Sequence, residues 1–280
     1  MAGHDGASAE SAQGDGSVGR LAGRGALVTG GNSGIGEAIV HRLTAEGARV
    51  AFCARRADLG AEVADEVSRR GGEARFDVCA VTDSSQVDAW VAELARDYGA
   101  IDIVVNNAGT GSGGQWPEES DEDWDAILRL NVTSAFYVAR ATWHHLLAAG
   151  RGSIVNIGSL SAWGGIGATE LEMMGGFQPS PSYQASKAAL EGLTVHLAGR
   201  GGEHGIRVNC VRPGRILTRQ WEESMGESFL FWSYYERVQM LKRHGRSEDV
   251  ADAVLYLASD ESKFVTAEMI DVNGGAVGKT

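Results

Sequence analysis

Short apolar runs punctuate the chain, and between them apolar positions return every three or four residues. The runs Ala26–Thr29, Arg49–Cys53, Ala74–Val78, Ile101–Asn106, Ser153–Ile157, Arg207–Val211 and Met269–Val272 are near-continuous rather than alternating. That is the pattern of strands covered on both faces. The stretches Ile35–Glu46, Leu59–Arg70, Ser84–Tyr98, Asp121–Leu147, Tyr183–Gly199 and Ser247–Leu257 carry helical spacing, and Ser84, Ser120 and Ser247 read as N-caps. Strand and helix alternate throughout, which predicts an α/β fold: a doubly wound parallel sheet of about seven strands with helices on both faces. Residues 1–20 are small, polar and glycine-rich and read as a disordered tail, leaving 21–280 as one domain.

Composition narrows the class of protein. The 280 residues are 43% hydrophobic and 22% charged, which excludes a disordered chain, a coiled coil and a fibre. A net charge of −12 argues against nucleic acid as a partner. No apolar run is long enough for a membrane span, and the N-terminus lacks the apolar core of a signal peptide. Cys53, Cys79 and Cys210 lie apart inside apolar runs without metal-ligand spacing. They read as buried thiols of a reducing compartment, so a cytoplasmic enzyme or binding protein is expected, with no metal. The 39 glycines against only 4 prolines point to tight turns and close backbone approach rather than to a linker.

The first strand runs into Thr29-Gly30-Gly31-Asn32-Ser33-Gly34-Ile35-Gly36 and then a helix. Glycines between a first strand and a helix N-terminus let backbone N–H groups and the helix dipole reach a pyrophosphate, although a plain strand–helix turn can look the same. The second strand ends at Arg55-Arg56, where an acid would serve a ribose 2′-hydroxyl and an arginine a 2′-phosphate. This favours NADP(H) over NAD(H), with Arg55 as the phosphate contact and Arg56 as a solvated neighbour. Tyr183 and Lys187 fall one helical turn apart, so an ammonium can stabilise a phenolate beside it. Alone, that spacing recurs on any amphipathic helix.

Together these motifs resemble the short-chain dehydrogenase/reductase family. Thr29–Gly36, Asp77-Val78, Asn106-Asn107-Ala108-Gly109, Asn131, Ser159, Tyr183 with Lys187, and Pro213–Thr218 occur in that family's order from about Gly23 to Gly275. The resemblance implies a single Rossmann-like domain, a nicotinamide cofactor and a homotetramer or homodimer. By position, Tyr183 would be the acid/base, Lys187 would hold the nicotinamide ribose and tune Tyr183, Ser159 would hydrogen-bond the substrate oxygen, and Asn131 would anchor a water. Gly30, Asn32, Ser33, Gly34, Ile35 and Gly36 would cradle the pyrophosphate. Asp77 and Val78 would meet the adenine, and Asn107, Ala108 and Gly109 would line the adenosine side. Pro213, Gly214, Ile216 and Thr218 would border the nicotinamide.

One departure from the family stands out. Ser159 and Tyr183 lie 24 positions apart, roughly twice the family's usual gap, so residues 164–181 read as an insertion at the active-site mouth. Ser161 is a nearby second serine. The segment 217–245 reads as a substrate lid, with six aromatic residues between Trp221 and Tyr235. Trp116, Trp163, Trp221 and Trp232 on three loops suggest a bulky, apolar or ring-containing substrate, although a subunit interface or the underside of a lid would use them equally. The expected activity is interconversion of a ketone and a secondary alcohol with NADP(H); the rivals are an NAD-dependent alcohol dehydrogenase on the same scaffold and a non-catalytic cofactor sensor.

Overall fold

A computed structural model describes residues 19–111, 113–176, 178–218 and 229–276, with side chains in the last segment from 233 onward. Of the expected tail, residues 1–18 lie outside the described residues. The chain alternates β1 (Gly25–Thr29), α1 (Gly34–Ala45), β2 (Arg49–Ala54), α2 (Ala57–Arg69), β3 (Glu73–Val78), α3 (Ser84–Tyr98) and β4 (Ile103–Asn106). It continues through α4 (Asp121–Leu128), α5 (Ser134–Ala149), β5 (Gly152–Ile157), α6 (Ala168–Met173), α7 (Pro181–Gly201) and β6 (Ile206–Pro213). The last part holds β7 (Ile216–Leu217), α8 (Phe229–Val238), β8 (Gly245–Arg246), α9 (Ser247–Ala258) and β9 (Met269–Val272).

Seven parallel strands form one sheet in the order β3-β2-β1-β4-β5-β6-β9, and β7 pairs with β8 apart from it. The apolar runs divide by alternation, because neighbouring strand residues face opposite sides. Val28, Val105 and Val155 pack beneath α1 and α9, with Ile39, Leu43, Val250 and Val254. Leu27, Val104 and Ile154 pack beneath α3 and α5, with Val91, Leu94 and Val138. The order reverses between β1 and β4, and in such sheets ligands bind at the C-terminal strand ends beside that switch.

Four local details differ from the sequence pattern. The stretch Asp121–Leu147 is not one helix: a π-helical turn, Arg129–Thr133, interrupts it between α4 and α5. The N-cap of α3 is Asp83, not Ser84, since its carboxylate accepts the N–H groups of Ser85 and Gln86. Likewise α9 is capped at Arg246 rather than Ser247, and Asp249 accepts the Arg246 N–H at 2.8 Å. Ser120 does cap α4, accepting the Asp123 N–H at 3.1 Å. β3 is an edge strand and only half covered, although its sequence reads like its buried neighbours.

Candidate active site

The turn from β1 to α1 is built around groups that leave no room for side chains. Gly30 and Gly34 take φ of 66° and 57°, the left-handed region that glycine enters freely. A Cβ on Gly36 would lie 2.0 Å from the Gly30 carbonyl oxygen and 2.5 Å from Asn107 Nδ2. Asn107 Nδ2 donates to the carbonyls of Thr29 and Gly30 at 3.0 and 2.9 Å. Thr29 Oγ1 accepts the N–H groups of Asn107 and Ala108 at 3.1 and 3.0 Å. The end of β4 is thus stitched to the glycine turn. Ser33, at the N-cap of α1, makes no side-chain cap bond, and Ile35 packs on the core behind. The close-packed turn at a helix N-terminus fits a dinucleotide pyrophosphate.

At the end of β2 it is Arg56 that reaches this turn, donating to Ser33 Oγ at 3.3 Å, while Arg55 is exposed. Asn32 is buried and donates through Nδ2 to the Arg56 carbonyl at 3.4 Å. Asp77, at the end of β3, accepts from Arg75 Nε at 3.0 Å and from Trp90 Nε1 at 2.9 Å, and Val78 beside it stands exposed. On the other side, Thr218 Cγ2 lies 3.4 Å from where a Gly34 Cβ would be, so the segment after β6 borders the turn. Gly214 packs on Asn273, and Ile216 enters the core.

A polar cluster forms at the same edge of the sheet. Ser159 follows β5 and caps a short 3₁₀ turn, its Oγ accepting the Ser161 N–H at 3.1 Å. Ser180 caps α7 by accepting the Tyr183 N–H at 3.2 Å, and Pro181 occupies the first turn, where its missing N–H costs nothing. Glu119 steadies that end, accepting the Ser182 N–H at 3.0 Å as well as its hydroxyl. Lys187, one turn along, is buried; its Nζ donates to the Ile157 carbonyl at 2.7 Å and lies 5.7 Å from the Tyr183 ring centre. Burial lowers the Lys187 ammonium to about 8. It raises the Tyr183 phenol, while a hydrogen bond with Ser159 pulls it back down.

Asn131 sits in the π-helical turn and is buried. Its Nδ2 donates to the Thr110 carbonyl at 3.0 Å and Ser186 Oγ at 2.9 Å, and its Oδ1 accepts the Thr110 N–H at 2.9 Å. A Cβ on Gly109 would lie 3.1 Å from Asn131 Oδ1 and 3.5 Å from Lys187 Nζ, so the loop after β4 also packs on the cluster. Ser159, Tyr183, Lys187 and Asn131 therefore share one site beside the glycine turn.

The aromatic expectations fare unevenly. Trp163 is half-exposed and lies 5.9 Å from the guanidinium of Arg212, which Glu191 grips at 2.6 and 2.7 Å. Trp116 is 74% exposed and makes no ring contact or hydrogen bond among the described residues. Trp221 lies outside the described residues; Trp232 lies on α8, with its side chain outside them. Sequence reasoning passed over Tyr235, whose ring stacks with buried Arg215 at 5.7 Å. It passed over Glu119 too. The only signals were Tyr235's place in the aromatic segment and Arg215's place just after Pro213-Gly214.

A parallel sheet whose strand order reverses beside a glycine cradle, with half-buried Tyr183 one turn from buried Lys187 at the same edge, defines a nicotinamide-dinucleotide oxidoreductase. Residues 30–277 match a family model described as enoyl-(acyl carrier protein) reductase. The 3-oxoacyl-(acyl-carrier-protein) reductase of Thermotoga maritima is 34% identical over 92% of this chain and 99% of its own. The gluconate 5-dehydrogenase of Gluconobacter oxydans is 34% identical over 91% of this chain and 95% of its own. A short-chain type dehydrogenase/reductase structure from Mycobacterium ulcerans superposes with TM-score 0.83 at 30% identity, covering 91% of this chain and 90% of that one. The chain belongs to the short-chain dehydrogenase/reductase family and is an NAD(P)-dependent oxidoreductase with ketone–alcohol chemistry among its relatives. No helix among the described residues is long and apolar enough to cross a membrane.

Proposed function

We propose that the protein interconverts a ketone and a secondary alcohol on a mid-sized apolar or cyclic metabolite and prefers NADP(H). One observation carries the reading: Tyr183 stands one helical turn from buried Lys187, in the same cluster as Ser159 and Asn131 and beside the glycine turn. Ser159 holds the substrate oxygen, and Tyr183 gives it a proton in reduction or takes one in oxidation. Lys187, the nearest cation, favours the phenolate and grips the nicotinamide ribose. Asn131, fixed by Thr110 and Ser186, anchors a water that passes protons toward Lys187. The nicotinamide, when bound, supplies or accepts the hydride.

Gly30–Gly36 with Asn32 and Ser33 hold the pyrophosphate, Asp77 and Val78 the adenine end, and Asn107–Gly109 the adenosine side. Pro213–Thr218 border the nicotinamide. Two arginines stand where a carboxylate would favour NAD, and Arg56 already touches the cradle at Ser33; both features support a 2′-phosphate. That preference points toward ketone reduction in a reducing, cytoplasmic setting, where three buried thiols stay free. Residues 21–280 act as one catalytic domain, with the 164–181 insertion and the 217–245 lid around the substrate, and Ser161, Trp116, Trp163, Trp221 and Trp232 at its mouth. An apolar groove between α5 and α7, lined by Phe136, Trp143 and Leu197, supports assembly as a homotetramer or homodimer.

The test is Tyr183→Phe. Ketone-dependent NADPH oxidation is expected to vanish while NADPH fluorescence titration still shows binding. Unchanged turnover would refute the assignment.

A further inference from the structure

A helix leaves its first N–H groups without partners inside it, and at the start of α7 those from Pro181 to Gln184 are all accounted for. Pro181 has none to offer. The Ser182 N–H goes to Glu119 Oε2 at 3.0 Å, the Tyr183 N–H to Ser180 Oγ at 3.2 Å, and the Gln184 N–H to the Ser180 carbonyl at 3.1 Å. The Ser182 hydroxyl gives its one proton to Glu119 Oε1, so Ser180 Oγ donates to Ser182 Oγ at 3.0 Å. An unbroken path of hydrogen bonds therefore runs from the Glu119 carboxylate through two serines to the main chain of Tyr183. Ser180 and Ser182 are both buried, which shields these bonds from water.

Glu119 itself lies 63 positions before Ser182, in the loop leading into α4. A Cβ on Gly113 would lie 2.7 Å from both Glu119 Oε1 and Ser180 Oγ, so the loop after β4 closes over the same bonds. A Cβ on Gly111 would stand 3.6 Å from Tyr183 Cε2, which sets that loop against the ring. A carboxylate is a stronger acceptor here than a neutral oxygen, and it faces the positive end of α7. One turn further on, Lys187 is held by the Ile157 carbonyl, so both ends of the Tyr183–Lys187 pair are pinned by groups from other parts of the chain.

We propose that Glu119 is a positioning residue for the reaction: through Ser182 and Ser180 it clamps the first turn of α7 so that the Tyr183 phenol meets the substrate oxygen. The inference rests on the reading of Tyr183 given above. A proton donor displaced by a fraction of its bond length slows proton transfer without loosening the cofactor, so the clamp should be felt in kcat rather than in NADPH binding.

The test follows NADPH oxidation with cyclohexanone and 1-tetralone in Glu119→Ala, Glu119→Gln, Ser182→Ala and Tyr183→Phe. Ser120→Ala is the control, since it removes the neighbouring cap of α4 and leaves α7 untouched. Glu119→Ala is expected to lower kcat at least about tenfold while KM and Kd for NADPH stay within about twofold. Glu119→Gln, which keeps an oxygen for the Ser182 N–H, should recover part of the loss, and adding Ser182→Ala to Glu119→Ala should cost nothing further. Ser120→Ala should keep the wild-type kcat. Unchanged kcat in Glu119→Ala, an equal loss in Ser120→Ala, or NADPH affinity falling along with kcat overturns the proposal. Hydrogen exchange across the first turn of α7 needs no substrate: exchange at least about tenfold faster in Glu119→Ala supports the clamp, and wild-type exchange overturns it. If Glu119→Ala fails to fold, Glu119→Gln and Ser182→Ala carry the same comparison. Turnover retained by Tyr183→Phe would refute the Tyr183 reading and leave exchange to decide the clamp. An inactive Tyr183→Phe beside a fully active Glu119→Ala would refute the clamp alone.

Discussion

The burial of Lys187 makes stability depend on pH in a direction that can be worked out beforehand. Its ammonium falls from an ordinary 10.5 to about 8 in the fold, because burial strips water from the charge, which the bond to the Ile157 carbonyl and nearby Cys210 offset only in part. Between those values the unfolded chain binds the proton that the folded chain has released. Stability from this group is therefore fully present above about 10.5 and is lost as pH falls through about 8. At about 1.4 kcal/mol per unit, the span is worth about 3 kcal/mol as an upper bound. The assay is urea denaturation of the wild type and Lys187→Met across this range, taking the difference so that the remaining groups cancel. Wild-type stability should gain on the variant by up to about 3 kcal/mol from pH 8 to 10.5. A difference that stays flat or falls would refute the reasoning, and with it the claim that Lys187 meets Tyr183 in a dehydrated site. Bound NADP(H), placing its ribose hydroxyls at the ammonium, should shrink the gain.

The glycine turn and the arginine pair offer further tests. Gly36→Ala forces a methyl into a 2.0 Å contact with the Gly30 carbonyl. A loss of about 1–3 kcal/mol is expected in thermal melts, with NADPH affinity down at least about tenfold; Gly192→Ala, on an open face of α7, should hold or raise stability. NADPH binding as tight as wild type in Gly36→Ala would contradict the cradle. Arg55→Ala and Arg56→Ala should each weaken NADPH by about tenfold or more while leaving NADH nearly unchanged. Equal losses for the two cofactors in both variants would rule out a 2′-phosphate contact.

Much of the fold was legible because its strands are buried on both faces, which leaves apolar runs such as Ile154–Ile157 that few other structures need. The glycine turn was legible too, since Gly30, Gly34 and Gly36 each answer a steric demand that no other residue meets. The π-helical turn was not. Ile127, Leu130, Asn131 and Ser134 keep helical spacing through it, and the extra residue depends on Asn131 finding Thr110 and Ser186, contacts 21 and 55 positions away. The sequence favoured Arg55 over Arg56 at the cradle, yet it is Arg56 that reaches Ser33. Adjacent residues at a strand end point opposite ways, and which way follows from the twist of β2 against the turn.

The insertion shows where local reading gives out most clearly. Its polar and glycine-rich sequence suggests a loop at the mouth of the cleft, yet six of its residues form α6 and two of those described, Met174 and Ser180, are buried. Nothing near Glu170 in the sequence announces Tyr234 as its partner 64 positions later. That contact ties residues 164–181 to the helix bearing Tyr235, whose ring lies against Arg215. The residues proposed to hold the nicotinamide and move the proton all lie in the sequence motifs. The Glu170–Tyr234 contact lies outside those motifs, so cutting it with Glu170→Gln should change the KM of a ketone substrate before it changes NADPH affinity.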